Sequence, residues 1–151
     1  MILPSETLSS YDTRLVGAPF FRALGDSTRL RLVVALVAAG HELCVCEMVY
    51  ALKVPQYRVS KHLAVLARHH VVTSTHRGTW VRYRLAAEMP SHFRECLLAL
   101  SIREPHKADC TRLQDRILLR DEQGLCAVGF VPETELQALI EKARGTCCAP
   151  A

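Results

Sequence analysis

The sequence predicts a mainly α-helical protein carrying a single β-hairpin, and three observations predict it. Apolar residues recur at three- and four-residue spacing along several stretches of the chain. One stretch, Val71 to Leu85, abandons that period for β-branched and aromatic residues on either side of a glycine. Between Leu52 and Gln56 a tight juncture separates two short helical segments of different character. With 151 residues the chain can bury a real core without disulfide staples.

The elements follow in order. Leu15 to Leu24 (LVGAPFFRAL) reads as a short helix ending at Gly25, and its pair of phenylalanines suggests packing, in part against a second subunit. Asp26 is placed as the N-cap of the next helix, STRLRLVVALVAAG, where Leu30, Val33, Val34 and Val37 recur at helical spacing and Gly40 supplies the stop. After HELCVCEM and VYALK comes VPQYRVSKHLAVLARHH, with Pro55 at the first helical position. Val59, Leu63 and Leu66 fall on one face there, and Tyr57, Lys61, Ala64 and Arg68 lie roughly opposite. Two short helices joined by a tight turn near Lys53 and Val54, the second apolar behind and basic in front, form the pattern of a helix-turn-helix whose second helix can enter a major groove.

The strands are expected at Val71 to Thr75 and Thr79 to Leu85, with His76, Arg77 and Gly78 as the turn. A basic hairpin directly after a helix-turn-helix is a wing. SHFRECLLALSI is helical again, and Phe93, Leu97, Leu98 and Leu100 make a stripe wider than one core needs, broken at Pro105. Beyond Pro105 the pattern weakens to a helix at TRLQDRILL, a loop at RDEQGLCAVGFV, and a clearer helix from Pro132 to Arg144 with Leu136, Leu139, Ile140 and Ala143 in one stripe. The expected organisation is a winged helix-turn-helix domain over residues 1–104, for DNA binding and dimerisation, and a helical extension with a cysteine-containing tail over residues 105–151.

The net charge of +4 is unevenly placed. From Lys53 to Ala87 there are seven Lys or Arg, four His and no Asp or Glu, so the remainder is mildly acidic. Such a block is an electrostatic footprint for a polyanion such as DNA, the alternative being a solvated basic face. The first residues, MILPSETLSS, lack a basic n-region, and the longest strongly apolar run, Leu32 to Ala39, is far short of the roughly 18 to 20 residues that span a bilayer, so the expected location is cytoplasmic. In that reducing compartment the seven cysteines read as free thiols, metal ligands or redox sensors rather than as a disulfide framework.

Taken in order, FRALGDSTRLRLVVAL, ELCVCEM, VPQYRVSKHLAVLARHHVV and HRGTWVRYRL resemble the ArsR/SmtB family of winged-helix metalloregulators over most of Phe20 to Leu85. ELCVC resembles the arsenite-sensing branch of that family. The resemblance implies a homodimer that represses an arsenic-resistance operon and leaves its double-stranded operator DNA when As(III) or Sb(III) binds cysteine thiolates, with no organic cofactor. It also implies that the helix from Pro55 offers Gln56, Tyr57, Arg58, Ser60, Lys61 and His62 to DNA, with Arg77 at the wing tip reaching the minor groove or backbone. Arg82 either braces its strand or touches phosphate. Gln, Ser and Lys hydrogen-bond base edges, whereas Arg and Lys more often hold phosphates. For Tyr57 and His62 the alternative is helix packing, and Trp80 and Tyr83 read as packing residues. Two departures stand out: the family's third cysteine a few residues after the pair is Val49 here, and the chain beyond Pro105 exceeds what a minimal member needs.

Cys44 and Cys46 are therefore the leading ligands, against the plainer reading of two small buried hydrophobes. A helix N-terminus stabilises thiolate, the form that binds soft ions. On a regular α-helix residues i and i+2 sit about 200° apart, so the pair can chelate one ion only where the chain leaves, or never adopts, helix geometry. Unwinding at that point would tilt the reading helix. For the third sulfur the candidates are Cys96, Cys110, Cys126, Cys147 and Cys148. Cys147 and Cys148 on the tail are preferred, Cys96 is assigned to core or dimer interface, and Cys110 and Cys126 receive no place. His92, Glu95, His106 and Asp109 are the candidates for zinc, at a spacing that fits poorly, and no zinc site is assigned. Two other functions remain open: a thiol-redox or persulfide-sensing repressor of the same fold, and a thiol enzyme such as an arsenate reductase. The absence of a phosphate-type oxyanion loop and the acid-free basic block weigh against the enzyme.

Overall fold

The central helix is fixed by its two ends. In the computed structural model, which describes residues 17–147, Asp26 accepts a hydrogen bond from the backbone N–H of Arg29 (3.0 Å), and Gly40 closes the helix in the left-handed region at φ 70°. Between them runs α2 (Ser27–Ala39), preceded by α1 (Ala18–Leu24) with its stop at Gly25. Leu32, Val33, Val34, Ala35 and Leu36 are all buried, so α2 is covered on more sides than a single stripe would require. α1, α5 (Ser91–Leu100) and α6 (His106–Ile117) pack on it along with the helix-turn-helix.

The helix-turn-helix consists of α3 (Val45–Leu52) and α4 (Gln56–Arg68). Lys53 turns the chain in the left-handed region at φ 54°, and extended Pro55 stands at the N-cap rather than at the first helical position expected for it, which Gln56 takes. The carbonyl of Pro55 accepts from the N–H groups of Arg58 and Val59, so proline still opens the helix without costing it a donor. Val59, Leu63 and Leu66 are fully buried, as the spacing predicts.

The wing is the antiparallel pair β2 (Val72–Arg77) and β3 (Trp80–Leu85). Arg77 pairs with Trp80 and His76 with Val81, so the loop is only Gly78 and Thr79, shorter than expected. Of these two, Gly78 alone has positive φ (60°), which is what a type II′ turn demands. A third strand, β1 (Leu43–Cys44), adds to β3 with Leu43 opposite Tyr83 and Cys44 opposite Arg82, giving the order β1-β3-β2. Two residues carry no readable period, which is why sequence patterning missed this strand.

α5 stops at Leu100, before Pro105, and α6 begins at His106, five residues earlier than TRLQDRILL suggests. α6 packs against α2 and α3. Its buried Asp109 accepts from Arg31 (Nε 2.7 Å, Nη2 2.8 Å) and from Arg112 (2.6 Å). Arg31 and Arg112 also donate to the carbonyls of Leu52 and Ala51, both at 2.6 Å, and so satisfy the orphan acceptors at the C-terminal end of α3. α7 (Glu133–Cys147) buries Leu136 and Ile140, and its Glu133 pairs with Lys53 in the turn before α4. Among the described residues no helix is long and apolar enough to cross a membrane.

Candidate thiolate site and nucleic-acid interface

Cys44 and Cys46 come together because only one of them is in the helix. Cys44 is extended (φ −88°, ψ 163°) as the last residue of β1 and the N-cap of α3, while Cys46 is the second residue of that helix. An N-cap side chain folds back over the first turn, and the two sulfurs lie 2.9 Å apart. The geometric objection to a CxC pair holds for regular helix, and the chain never adopts it here. Nothing has to unwind for the pair to converge.

The third sulfur comes from Cys126, in the loop between α6 and α7, 3.1 Å from Cys46. All three sulfurs lie within 4.8 Å of one another and are buried, under the indole of Trp80. Sequence reasoning gave Cys126 no place. Asp121 and Gly124 do mark a reversing turn, with Asp121 accepting from the N–H groups of Gln123 and Leu125, but local signals cannot say where such a turn lands. Three arginines decide that. Arg120 grips Glu47 through Nε (2.6 Å) and Nη2 (2.9 Å) and also reaches the carbonyl of Glu42 (2.8 Å). Arg82 donates to the carbonyl of Gly124. Arg116 donates to the carbonyls of Val128 and Gly129 and to the Cys126 sulfur at 3.4 Å.

Arg116 lies against the cluster and adds to the effect of the hydrogen bonds among its sulfurs. It is 1% exposed and has no carboxylate partner among the described residues. A buried guanidinium needs a nearby anion, and the sulfur it touches is the available one. Hydrogen bonds from Cys44 and Cys46, with the charge of Arg116, hold the Cys126 thiol down to about 3 against the opposing effect of burial. Cys46 is pushed up to about 11, first by its hydrogen bond with Cys126. Cys44 is pushed up as well, by its bonds to Cys126 and Cys46, by burial and by Glu47. These directions lead us to expect one thiolate, on Cys126, and two thiols at neutral pH. At about pH 6, well below the usual thiol value of about 8.5, ultraviolet thiolate absorbance should remain at one equivalent per chain and vanish in Cys126→Ser. An intact protein with only baseline absorbance at that pH would contradict this assignment.

Among the described residues, no other thiol and no histidine joins the cluster. Cys96 is exposed on α5 and Cys110 is half-buried on α6. The side chain of Cys147 and the whole of Cys148 lie outside the described residues. Asp109 is taken by Arg31 and Arg112, and His92, Glu95, His106 and Asp109 do not gather their donor atoms at one point among the described residues.

Along α4, Gln56, Tyr57, Arg58, Ser60 and Lys61 are exposed, Tyr57 at 72%. His62 is half-buried, with Nδ1 3.6 Å from Asp26, so it braces α4 against the start of α2. Arg77 is exposed at the end of β2. Of the two readings left open for Arg82, its surroundings favour the strand brace over the phosphate contact: it is 8% exposed, lies 3.7 Å from Glu42 and donates to the Gly124 carbonyl of the loop carrying Cys126.

Comparison with known proteins agrees with this architecture. A family described as "Bacterial regulatory protein, arsR family" matches residues 26–74, which contain α2, α3, α4 and the start of the wing. The chain is 43% identical over 70 residues to the arsenic resistance transcriptional regulator ArsR1 of Pseudomonas putida, a match covering 46% of this chain and 54% of that protein. It is 30% identical over 106 residues to the arsenical resistance operon repressor of Bacillus subtilis, covering 70% of this chain and 94% of that one. The first three curated relatives are matched over 54 to 66% of their own length. HlyU from Vibrio cholerae shares the fold, at 24% identity and a TM-score of 0.51 over 67% of this chain and all of that one. These named relatives are transcriptional regulators and not enzymes, which sets aside the thiol-enzyme alternative. By its helix-turn-helix and by the near-complete span of its Bacillus relative, the chain belongs to the ArsR family of bacterial regulatory proteins.

Proposed function

We propose that the protein is a dimeric transcriptional repressor that holds operator DNA through α4 and the wing and releases it when As(III) or Sb(III) takes the thiolates of Cys44, Cys46 and Cys126. The observation that carries this reading is the gathering of three buried sulfurs, from two distant parts of the chain, with no imidazole or carboxylate among the converging donors. An all-sulfur set favours a soft ion. In this reading residues 1–104 bind DNA and pair with a second copy, and residues 105–151 deliver the third ligand. Phe21, Leu98 and Ile102, exposed on and just beyond α1 and α5, supply the apolar surface for the second copy.

For the DNA face, Gln56, Tyr57, Arg58, Ser60 and Lys61 are the contact residues, with Arg77 at the wing. Lys61→Ala is expected to weaken binding almost uniformly across sequences and to reduce the slope of log affinity against log salt by about one per contact removed. Filter binding over a salt series reads it. An unchanged slope would take Lys61 out of the interface.

The functional test is an operator gel shift titrated with arsenite and, in parallel, with peroxide, on fully reduced protein. Release by arsenite alone supports the proposal. A thiol-oxidation reading has one observation in its favour, the sulfur separations of 2.9 and 3.1 Å. Release by peroxide with indifference to arsenite would replace the proposal with that reading.

A further inference from the structure

We infer that Trp80 sets which ions the three sulfurs accept, by closing the fourth coordination position above them. This rests on the function proposed above and names the selectivity of that same site. An ion held by three sulfurs lies on the axis of their triangle, and what stands further out on that axis decides which ion fits. Zn(II) takes four ligands in a tetrahedron, so three protein donors leave it needing a water or a fourth side chain. Trivalent arsenic or antimony fills the same direction with its own lone pair and needs no fourth donor.

Trp80 packs against the cluster of Cys44, Cys46 and Cys126. Its indole N–H only donates, so the ring brings no ligand with it. The ring is held from two sides. Trp80 opens β3 opposite Arg77, directly after the two-residue turn of the wing. Against the ring lies Gly129, where a Cβ would stand 3.2 Å from Cη2 of the indole, so even one methyl would have to shift it. Arg116 donates to the Gly129 carbonyl at 2.9 Å and keeps that glycine in place.

Other donors are spoken for. The Glu47 carboxylate accepts from the Cys44 N–H and from Arg120. The Val128 carbonyl, 3.3 Å from the Cys126 sulfur, accepts from Arg116. A cavity of about 330 Å³ between α3 and α7 is lined by Cys46 but by neither Cys44 nor Cys126. It therefore reaches one sulfur from the side, and offers a way in rather than a fourth position.

The test titrates the reduced full chain with arsenite against a competing dithiol and with Zn(II) against a chelator, and counts ligands by X-ray absorption. Wild type should hold arsenite on three sulfurs and zinc weakly. In Trp80→Ala arsenite should still show three sulfurs, while zinc affinity rises roughly 10- to 100-fold, the range for a residue around a site rather than in it, with three sulfurs and one oxygen about the metal. Trp80→Phe, which keeps a ring, should stay near wild type. Equal zinc affinity in wild type and Trp80→Ala would overturn the inference. Should Trp80→Ala fail to fold, the wild-type arm decides: zinc on three sulfurs and an oxygen overturns the inference, and any other outcome supports it. A wild-type chain that binds arsenite on three sulfurs yet keeps its operator would instead overturn the proposed function and leave the selectivity standing.

Discussion

Arsenite affinity is expected to fall by at least about 100-fold when Cys126 is replaced by serine, because removing a ligand costs more than the roughly 10- to 100-fold typical of losing a residue that merely orients one. Serine keeps the volume of the side chain and replaces a soft donor by a hard hydroxyl, so the loop can still close over Trp80 while the ion loses one of its three sulfurs. X-ray absorption should count three sulfurs in wild type and two in Cys126→Ser. Replacing Cys147 and Cys148 together should leave the count at three. These two variants set the structure against the sequence-based preference for a tail ligand. If the tail variant drops to two sulfurs and Cys126→Ser stays at three, the site drawn around Cys126 is wrong. Because serine also removes the sulfur that faces Arg116, Cys126→Ser is best read by arsenite binding rather than by operator release.

The contrast between the two halves of this site shows what a sequence can carry. Cys44 and Cys46 were legible as a pair because the signal is local: two thiols at short spacing, at a helix start, within a stretch that resembles a known family. Of the two routes left open, leaving helix geometry or never adopting it, the chain takes the second, since Cys44 is the extended N-cap and not a helical residue, and that geometry is what brings the sulfurs together. The ends of α2 were legible for the same reason, with Asp26 and Gly40 acting within one turn of themselves. The buried face of α4 followed from its period alone. Cys126 was not legible. It lies 80 residues from Cys46, and the contacts that bring it there belong to Arg82, Arg116 and Arg120.

Those arginines also bear on Arg82, for which the sequence left a strand brace and a phosphate contact both open. A count of basic side chains between Lys53 and Ala87 treats Arg82 as part of the field that meets DNA. The structure turns it toward a carbonyl of the loop that completes the thiolate site. Charge along a chain predicts a surface only where nothing covers it, and here the covering segment lies far downstream. The basic face left to α4 and the wing tip is smaller than the count implies, but each of its members is exposed.

The second large effect is on stability, and it falls on Glu47. Its side chain is fully buried and accepts from the Cys44 backbone N–H (2.8 Å) and from two nitrogens of Arg120 (2.6 and 2.9 Å). It thus caps α3 and anchors the Cys126 loop with the same carboxylate. Glu47→Ala leaves Arg120, only 12% exposed, without its anion. Breaking a buried pair from one side costs about 3 to 5 kcal/mol. At roughly 2 to 4 °C per kcal/mol for a chain of this size, the melting temperature should fall by on the order of 10 °C. Glu47→Gln keeps the shape and an acceptor, and should lose less. Arg120→Ala should cost about as much as Glu47→Ala, and the double variant well below the sum of the two, since each single change already breaks the shared interaction. Thermal unfolding of wild type, the two alanine variants and the double variant supplies the whole cycle. Additive losses would mean that Glu47 and Arg120 stabilise the fold independently, and that the capping role alone, about 1 kcal/mol, accounts for Glu47.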